Sequence, residues 1–217
     1  MIEKAESTGS RLNKLLIEIG QAPLDATRAR QFEKYYSLLF RWNARMNLTA
    51  IRDEEGILRR HFIESIACAR ALPSGIATLL DFGSGAGFPG IPIVICRPEI
   101  AVTLAESQGK KAAFLGEALR VLGTGNAKVH SGRAELLPTV FDCVILRAVD
   151  KMELAVQAAS CLVRVGGWLA LMTTTREHDA LKAAAGIGYS WSEAFLPADS
   201  NDRSLLIGQR DLNLPEK

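Results

Sequence analysis

The amino-acid sequence predicts an α/β fold: a mixed sheet of seven strands with helices on both faces and a helical N-terminal extension. From residue 77 onward, short apolar runs of strand length alternate with helical stretches, which is the pattern of a parallel sheet covered on both sides. The first of these runs leads directly into a glycine-rich segment at residues 81–90. The first 72 residues, in contrast, show only helical spacing of their apolar residues.

The composition is that of an ordinary globular protein, because 48% of the 217 residues are hydrophobic and 23% are charged. No apolar run approaches the ~20 residues of a membrane span, and the first residues do not resemble a secretory signal. We therefore expect a cytoplasmic, monomeric protein that does not contact the membrane. The four cysteines form no C-x-x-C pair, so neither a disulfide framework nor a metal site is expected. They are Cys68, Cys96, Cys143 and Cys161.

Three helices are predicted in the N-terminal part. Apolar residues recur at helical spacing over residues 11–20 and again over residues 28–46. A third helix is expected to begin after Asp53, a good N-cap residue, and to end before Pro73, which would break it.

The same part of the chain is the basic one. Residues 28–60 carry eight Lys or Arg against four acidic residues, whereas residues 76–217 carry fourteen basic and fifteen acidic residues. A charged helical face is commonly only a solvated surface, but this enrichment also suits phosphate binding. We therefore assign residues 1–75 to a basic helical extension and residues 76–217 to the α/β domain.

Five apolar runs are predicted to be strands that are connected by right-handed crossovers. They are ATLLDF (77–82), AVTLAE (101–106), NAKVHS (126–131), FDCVILRA (141–148) and GWLALMT (167–173). The helical stretches between them are GIPIVICR, KKAAFLGEALRVLG, a short RAELL and MELAVQAASCLVRVG.

The end of the chain predicts a β-hairpin. The extended segments YSWSEAFLP and RSLLIGQRDL are joined by the turn-rich ADSNDR. A hairpin there adds an antiparallel strand to an otherwise parallel sheet. This arrangement is typical of methyltransferases that use S-adenosylmethionine and is unusual in dinucleotide dehydrogenases.

The segment DFGSGAGFPG follows the first strand and opens the next helix, the place where a doubly wound sheet binds a nucleotide. Four glycines in ten residues exceed what a plain turn requires, so we expect ligand atoms to lie against bare backbone there. The predicted contacts in this loop are Gly83, Ser84, Gly85 and Gly87.

Two cofactors that contain adenosine, NAD and S-adenosylmethionine, are candidates for this site. GAGFPG is a G-x-G-x-x-G pattern, and Glu106 follows about twenty residues later, as in NAD sites. Glu106 would accept hydrogen bonds from ribose hydroxyls in either case. However, the frame G-x-G-x-G from Gly83, two residues after Asp81, suits a sulfonium ligand with a charged amino group better than a pyrophosphate.

The motifs WNARMNLTAIR, RRHFIESI, LLDFGSGAGFPGIPI, TLAESQGKKAAFL, SGRAE and FDCVILRAV resemble those of the small-subunit ribosomal RNA guanine-N7 methyltransferases, called RsmG or GidB. The likeness runs from about Tyr36 to Leu171. It implies the Rossmann-like class I methyltransferase fold for residues 76–217. It also implies that S-adenosyl-L-methionine is the cofactor and that the methyl group goes to N7 of a guanine in 16S rRNA, as naked RNA or in the 30S particle.

The resemblance also implies roles for single residues. Cofactor contacts would fall on Gly83, Phe88, Ala134, Glu135 and Arg147. Because guanine N7 carries no proton, no general base is expected, and basic residues would position the RNA or the base. These positioning residues are Arg147, Arg133 and Lys110; Lys111 is another basic residue of the pattern.

Two positions depart from the family pattern. Glu64 stands where the family usually has aspartate, a change that could preserve a cap or a salt bridge. Met172 stands where the family usually has lysine, so a charged contact to RNA would be lost. Because of Met172, a non-catalytic RNA-binding or assembly protein that retains the cofactor pocket is one alternative. Because of the GAGFPG pattern, an NAD-dependent oxidoreductase is another.

Overall fold

The computed structural model describes residues 6–195 and 202–212. The N-terminal part is helical, as predicted, and its helices are α1 (Thr8–Glu18), α2 (Ala26–Met46), α3 (Glu54–Ile57) and α4 (Glu64–Ala71). A stretch of π-helix, Leu58–Ile63, joins α3 to α4. Asp53 is the N-cap of α3, and its carboxylate accepts a hydrogen bond from the Gly56 N–H at 2.7 Å.

The sheet has seven strands among the described residues, in the order β3-β2-β1-β4-β5-β7-β6. Strands β1 to β5 are parallel, and β7 runs antiparallel to both β5 and β6. Their bounds are β1 Thr78–Phe82, β2 Ala101–Glu106, β3 Ala127–Ser131, β4 Phe141–Arg147, β5 Val163–Thr174, β6 Tyr189–Phe195 and β7 Arg203–Arg210. The predicted hairpin is confirmed, although most of its turn lies outside the described residues.

The crossover helices cover both faces of the sheet, which is confirmed as mixed and seven-stranded. They are α5 Gly90–Cys96, α6 Gly109–Leu122, α7 Met152–Ser160 and α8 His178–Ala185. The RAELL segment forms only a short 3-10 turn, Ala134–Leu136. The prediction of one helix over MELAVQAASCLVRVG was wrong beyond Ser160, because β5 already begins at Val163 and pairs with β4.

The N-terminal helices share a core with one face of the sheet. Phe32, Phe62 and Ile66 are fully buried in the same cluster as Leu79 and Leu104 of the central strands. The opposite face is covered by α7 and α8, which form a second cluster. The helical extension is therefore packed as one layer of the α/β sandwich, and its residues reach the edge of the sheet where the parallel strands end.

Candidate active site

The glycine loop between β1 and α5 lies where the parallel strands β1, β2 and β4 end. Gly83 and Gly85 have φ angles of +74° and +57°, a region that side chains other than glycine rarely adopt. A Cβ on Gly85 would have one neighbour within 4 Å, the Gly83 carbonyl oxygen at 3.9 Å. The space above the Gly85 backbone is therefore open to a ligand.

The other two glycines of the loop are required by the packing of the protein itself. A Cβ on Gly90 would lie 2.3 Å from both Asp81 Oδ2 and Leu104 Cδ2. A Cβ on Gly87 would lie 2.5 Å from Ile91 Cδ1. Gly90 thus lets α5 approach the sheet closely, and Gly87 leaves room for the Ile91 side chain and the Tyr35 hydroxyl. Packing therefore accounts for two of the four glycines without a ligand.

Asp81 and Ser84 hold the loop from the inside. The buried Asp81 carboxylate accepts a hydrogen bond from the Gly90 N–H at 3.1 Å. Burial raises the pKa of this carboxyl to about 7. The Ser84 hydroxyl donates to the Asp81 carbonyl oxygen at 3.1 Å. Asp81 thus ties β1 to the start of α5, and the expectation that it suits a ligand's amino group gains no support from this inward orientation.

Glu106 connects the end of β2 to the glycine loop. One carboxylate oxygen accepts the Gly85 N–H at 2.9 Å, and the other accepts the Gln108 N–H at 2.7 Å. Each oxygen has two lone pairs, so both retain acceptor capacity for ribose hydroxyls. The side chain is held rigidly beside the open backbone of Gly85, as a nucleotide site requires.

Phe88 is packed mainly among aromatic side chains of the N-terminal helices. Its ring lies 4.7 Å from the His61 ring, centroid to centroid, and 5.4 Å from that of Tyr35. The Tyr35 ring stacks on Phe62, and its hydroxyl donates to the Ala86 carbonyl oxygen in the glycine loop. Tyr35 is fully buried and is therefore a core residue. Phe88 is 8% exposed, so only a small part of its side chain is free to contact a cofactor.

Arg147, the last residue of β4, is bound by the N-terminal helices. Its Nη2 lies 2.8 Å from Glu64 Oε2, and the same nitrogen donates to the Arg60 carbonyl oxygen. Nη1 donates to the Ser65 hydroxyl at 3.3 Å. Glu64 is fully buried, and this ion pair is the salt bridge that the sequence analysis gave as the alternative to a cap. Arg147 attaches the helical layer to the strand end at the centre of the site.

His61 lies in the same junction. One ring nitrogen is 2.7 Å from the Thr49 hydroxyl, and the other is 3.3 Å from Arg147 Nη2. Burial, and then the positive charge of Arg147, lower the pKa of the ring to about 3. His61 is therefore neutral at physiological pH and is a weak proton acceptor.

The remaining predicted residues lie on the other side of the glycine loop. Ala134 is buried just after β3, and Glu135 forms an ion pair with Arg133, N to O 2.5 Å. Lys110 is exposed in the first turn of α6, after β2. Strands β3 and β4 are separated by β2 and β1, about 14 Å at ~4.8 Å per strand. The structure thus brings Gly85 and Glu106 together but separates Lys110 and Arg133 from Arg147.

Met172 is a buried core residue, 4% exposed. It lies in β5 opposite Arg147 of β4 and Leu205 of β7. The predicted strand, residues 167–173, already included Met172, and β5 extends further at both ends, from Val163 to Thr174. In this chain the position belongs to the sheet and does not face solvent.

The sequence analysis did not find Arg203, the first residue of β7. Its Nη1 lies 3.7 Å from Glu64 Oε2, in the same junction as Arg147. Residues 64 and 203 are far apart in the chain, and a strand-end arginine after a polar turn carries no signal of its own. Glu64 itself was noted only as a departure from a pattern.

The family model for GidB, rRNA small subunit methyltransferase G, matches residues 28–193. The chain belongs to this family. The match includes most of the N-terminal helical layer, strands β1 to β5 and most of β6. The family assignment therefore covers both the helical wall and the sheet wall of the site.

Curated members of the methyltransferase G family match along most of their length. The protein named ribosomal RNA small subunit methyltransferase G of Xanthomonas euvesicatoria is 41% identical over 189 residues, 85% of this chain and 88% of that protein. The protein of the same name from Pelotomaculum thermopropionicum is 41% identical over 206 residues, 88% of this chain and 85% of that protein.

Solved structures show the same fold at low sequence identity. A predicted O-methyltransferase from Agrobacterium tumefaciens has a TM-score of 0.58 at 18% identity, over 68% of this chain and 80% of its own. TYW2 of M. jannaschii, in complex with AdoMet, has a TM-score of 0.55 at 15% identity, over 69% of this chain and 74% of its own. These likenesses confirm the class I methyltransferase fold.

As a member of the methyltransferase G family, the protein is an enzyme of small-subunit ribosomal RNA that uses S-adenosylmethionine. Its residues fit that cofactor, because the open backbone of Gly85 and the acceptor pair of Glu106 lie side by side. The NAD-dependent alternative is thereby set aside. No helix in the described part of the chain has the length and apolarity needed to cross a membrane.

Proposed function

We propose that the protein transfers a methyl group from S-adenosylmethionine to N7 of a guanine in 16S rRNA. The observation that carries the choice of N7 is the chemistry of the side chains around the end of β4. Arg60, Arg147 and Arg203 are cations, and Glu64 is held between them. His61, with a pKa of about 3, is too weakly basic to accept a proton efficiently at neutral pH.

This environment suits an acceptor atom that has no proton to lose. Guanine N7 offers an in-plane lone pair and carries no hydrogen, so its methylation needs only correct orientation. Methylation of an exocyclic amino group or a hydroxyl would require a base to remove a proton. The cofactor, when bound, supplies a methyl group on a positively charged sulfur, and the S–C bond pair returns to sulfur as the N7–C bond forms.

Residues of the chain would hold the reactants in place. We assign Glu106 to the ribose hydroxyls and the backbone of Gly83 and Gly85 to the cofactor chain that crosses β1. Ala134 and Glu135 would flank the adenine, because they follow β3 on the far side of β2. The contributions of Ser84, Gly87 and Phe88 would come from backbone atoms or ring edges, since all three residues are buried.

The basic residues are assigned to the RNA. Lys110 and Arg133 are exposed at the ends of β2 and β3, so they would contact RNA phosphates at some distance from the reacting base. Arg147 would act by positioning, since its guanidinium is engaged by Glu64 and the Arg60 carbonyl. A purine becomes cationic on N7 methylation, so these cations are useful at phosphates and not at N7 itself.

The substrate is proposed to be 16S rRNA, naked or within a 30S particle. The target guanine must be accessible, which favours a loop or an assembly intermediate over a paired helix. A cytoplasmic location and a monomeric state remain predictions.

The function is tested by radiolabelled methyl transfer to 16S rRNA and to 30S particles from a strain that lacks the endogenous activity. Aniline cleavage then locates N7-methylguanine. One cleavage that depends on the protein is expected. If neither substrate is labelled while calorimetry still shows cofactor binding, the enzyme assignment is overturned in favour of a binding or assembly protein.

A further inference from the structure

Three arginines surround one carboxylate at the junction of the N-terminal helices and the sheet. We call Arg60, Arg147 and Arg203, with Glu64 between them, the arginine cluster. Arg147 is the closest, at 2.8 Å from Glu64 Oε2. Arg60 Nε lies 3.4 Å from Oε1, and Arg203 Nη1 lies 3.7 Å from Oε2. The three residues come from the π-helix, β4 and β7.

Arg60 and Arg203 are only weakly bound by Glu64, so most of their N–H donors form no hydrogen bond to it. Distances of 3.4 and 3.7 Å exceed the usual 2.7–3.2 Å of an N–H···O bond. Arg60 Nε and Glu64 Oε1 are buried atoms without a hydrogen-bond partner among the described residues. The side chains of Arg60 and Arg203 are 39% and 28% exposed, whereas that of Arg147 is 7% exposed. The side chains of Arg60 and Arg203 are thus oriented by the protein and remain partly exposed.

The cluster carries excess positive charge. Three arginines face one carboxylate at ion-pair distance, and His61 beside them is neutral. Glu177 also lies within the field of Arg203, but its carboxylate accepts hydrogen bonds from Thr173 and Thr174. Asp81 also lies within the field of Arg147, but it is buried and its pKa is raised to about 7, so at neutral pH the three arginines still exceed the ionised carboxylates. An anion with several acceptor oxygens would complete the arrangement, because a guanidinium presents its donors as a planar fork.

Arg147 of the cluster lies next to β1 at the centre of the site, whereas Arg203 lies to one side of the predicted cofactor site. Arg147 is the last residue of β4, and Arg203 is the first residue of β7. Because β7 runs antiparallel, both residues lie at the end of the sheet where the parallel strands finish. Strand β7 is three positions from β1, about 14 Å at ~4.8 Å per strand. The adenosine half would lie over β1 and β2, on the side of Glu106. The β7 side of the cluster therefore lies away from Glu106, where an RNA strand would have to approach.

We propose that Arg60 and Arg203 bind a backbone phosphate of the RNA strand that presents the target base, with Glu64 orienting both side chains. The proposal rests on the proposed function, because it names a substrate contact of the same site. Binding would fix the position of the strand relative to the methyl donor without any contact to N7. The hairpin of β6 and β7 thereby contributes a substrate residue to the site.

The test compares Arg60→Ala and Arg203→Ala with Arg120→Ala as a matched control. Arg120 is an exposed arginine in the last turn of α6, toward the opposite edge of the sheet. Affinity for a fluorescent 16S rRNA transcript is measured over a range of KCl concentrations. Loss of one phosphate contact should reduce the slope of log K against log [KCl] by about 0.7–0.9. Arg203→Lys keeps the charge and should restore that slope.

Steady-state kinetics separate a positioning role from a structural one. For Arg60→Ala and Arg203→Ala we expect the KM for RNA to rise about tenfold, with kcat changed less than threefold and cofactor affinity unchanged by calorimetry. Arg120→Ala should match the wild type in each measurement. Circular dichroism verifies that each variant is folded, and the Arg60 and Arg203 variants test the proposal independently of each other.

Two results would overturn the proposal, and a third would overturn the proposed function. Salt slopes and KM values equal to those of Arg120→Ala, with the wild type active, would leave the enzyme assignment intact and remove the phosphate contact. Weaker cofactor binding with an unchanged RNA slope would assign the cluster to the carboxylate of the cofactor. Failure of the wild type to methylate either substrate would overturn the function instead, and the RNA-binding slopes would still decide whether the cluster binds phosphate.

Discussion

Within the glycine loop, some residues leave space for a ligand and others are needed for the packing of the fold. Gly85 leaves its backbone open, whereas Gly90 makes room for the Asp81 carboxylate and the Leu104 side chain. Glu106 lies beside the open backbone of Gly85 and accepts hydrogen bonds from two backbone N–H groups. Substitutions at these positions should therefore have separable effects on stability and on cofactor affinity.

Gly90→Ala should destabilise the protein by about 1–3 kcal/mol, because its Cβ would overlap atoms of a close-packed core. Gly116→Ala is the control, since Gly116 is exposed within α6 and a Cβ there meets nothing within 4 Å. That change should stabilise the helix by up to ~1 kcal/mol. Urea unfolding of the two variants gives both values, and equal stabilities would contradict the packing role of Gly90.

Glu106→Gln should weaken cofactor binding about tenfold, or ~1.4 kcal/mol, because the amide loses an acceptor oxygen and the charge that strengthens its hydrogen bonds. Glu99→Gln is the control: Glu99 lies just before β2, near the opposite end of that strand, and pairs with Arg97 on the surface. Calorimetric titration with S-adenosylmethionine measures both affinities. Unchanged affinity in Glu106→Gln would exclude this carboxylate from the cofactor site.

The helical layer contacts the glycine loop directly through α2 and the π-helix. Tyr35 of α2 hydrogen-bonds the Ala86 carbonyl, and His61 of the π-helix stacks on Phe88. The loop is thus supported from outside the sheet that forms it. Irregular π-turns commonly mark functional sites, and this one carries both Arg60 and His61 toward the end of β4.

Tyr35→Phe should cost about 1–3 kcal/mol of unfolding free energy, since the buried Ala86 carbonyl would lose its partner. Cofactor affinity should fall with it, because the loop is then less well held. Tyr36→Phe provides the control, because the Tyr36 hydroxyl makes no hydrogen bond to the described residues. Thermal unfolding and calorimetry report the two effects, and a Tyr35 variant as stable as the control would show that the bond contributes little.

On the scale of the whole molecule, the shared core makes the helical layer and the sheet depend on each other. Trp42 reports on α2, and Trp168 reports on β5. We expect a variant that retains only Trp42 to show the same urea midpoint by fluorescence and by circular dichroism, as should a variant that retains only Trp168. Two separated midpoints would indicate that residues 1–75 unfold as an independent domain.

Two buried groups impose opposite pH dependences on stability. His61 has a pKa of about 3 in the folded protein against 6.5 ordinarily, so its contribution to stability falls as the pH decreases from about 6.5 toward 3. Asp81 has a pKa of about 7 against 3.8, so its contribution is present below pH 3.8 and is lost as the pH rises toward 7. Between pH 4 and 6.5 the two effects oppose each other.

His61→Gln and Asp81→Asn should separate these effects. Relative to the wild type, the His61 variant should gain stability as the pH is lowered from 7 to 4, and the Asp81 variant should lose it. The cations that face His61 come from its own helix, β4 and β7, namely Arg60, Arg147 and Arg203. Urea unfolding at a series of pH values measures both trends, and parallel curves for all three proteins would contradict them.

Much of the fold could be predicted from the chain, because its signals are local. Strand-length apolar runs gave the positions of the first four parallel strands, and the N-cap at Asp53 gave the start of α3. The boundary between α7 and β5 could not be predicted, since apolar residues follow Ser160 in either conformation. Only pairing with β4 decides it.

The sequence by itself determined the fold class, the family and the glycine loop with Glu106, because these depend on residue types at short spacings. Tertiary structure alone decided which glycines are packed against other atoms, which leave their backbone open, and that Met172 is buried. It also decided that Arg60, Arg147 and Arg203 meet at Glu64. Charges far apart in the chain come together only when the helical layer packs against the sheet and β7 pairs antiparallel with β5. Their shared field therefore has no local signature in the sequence.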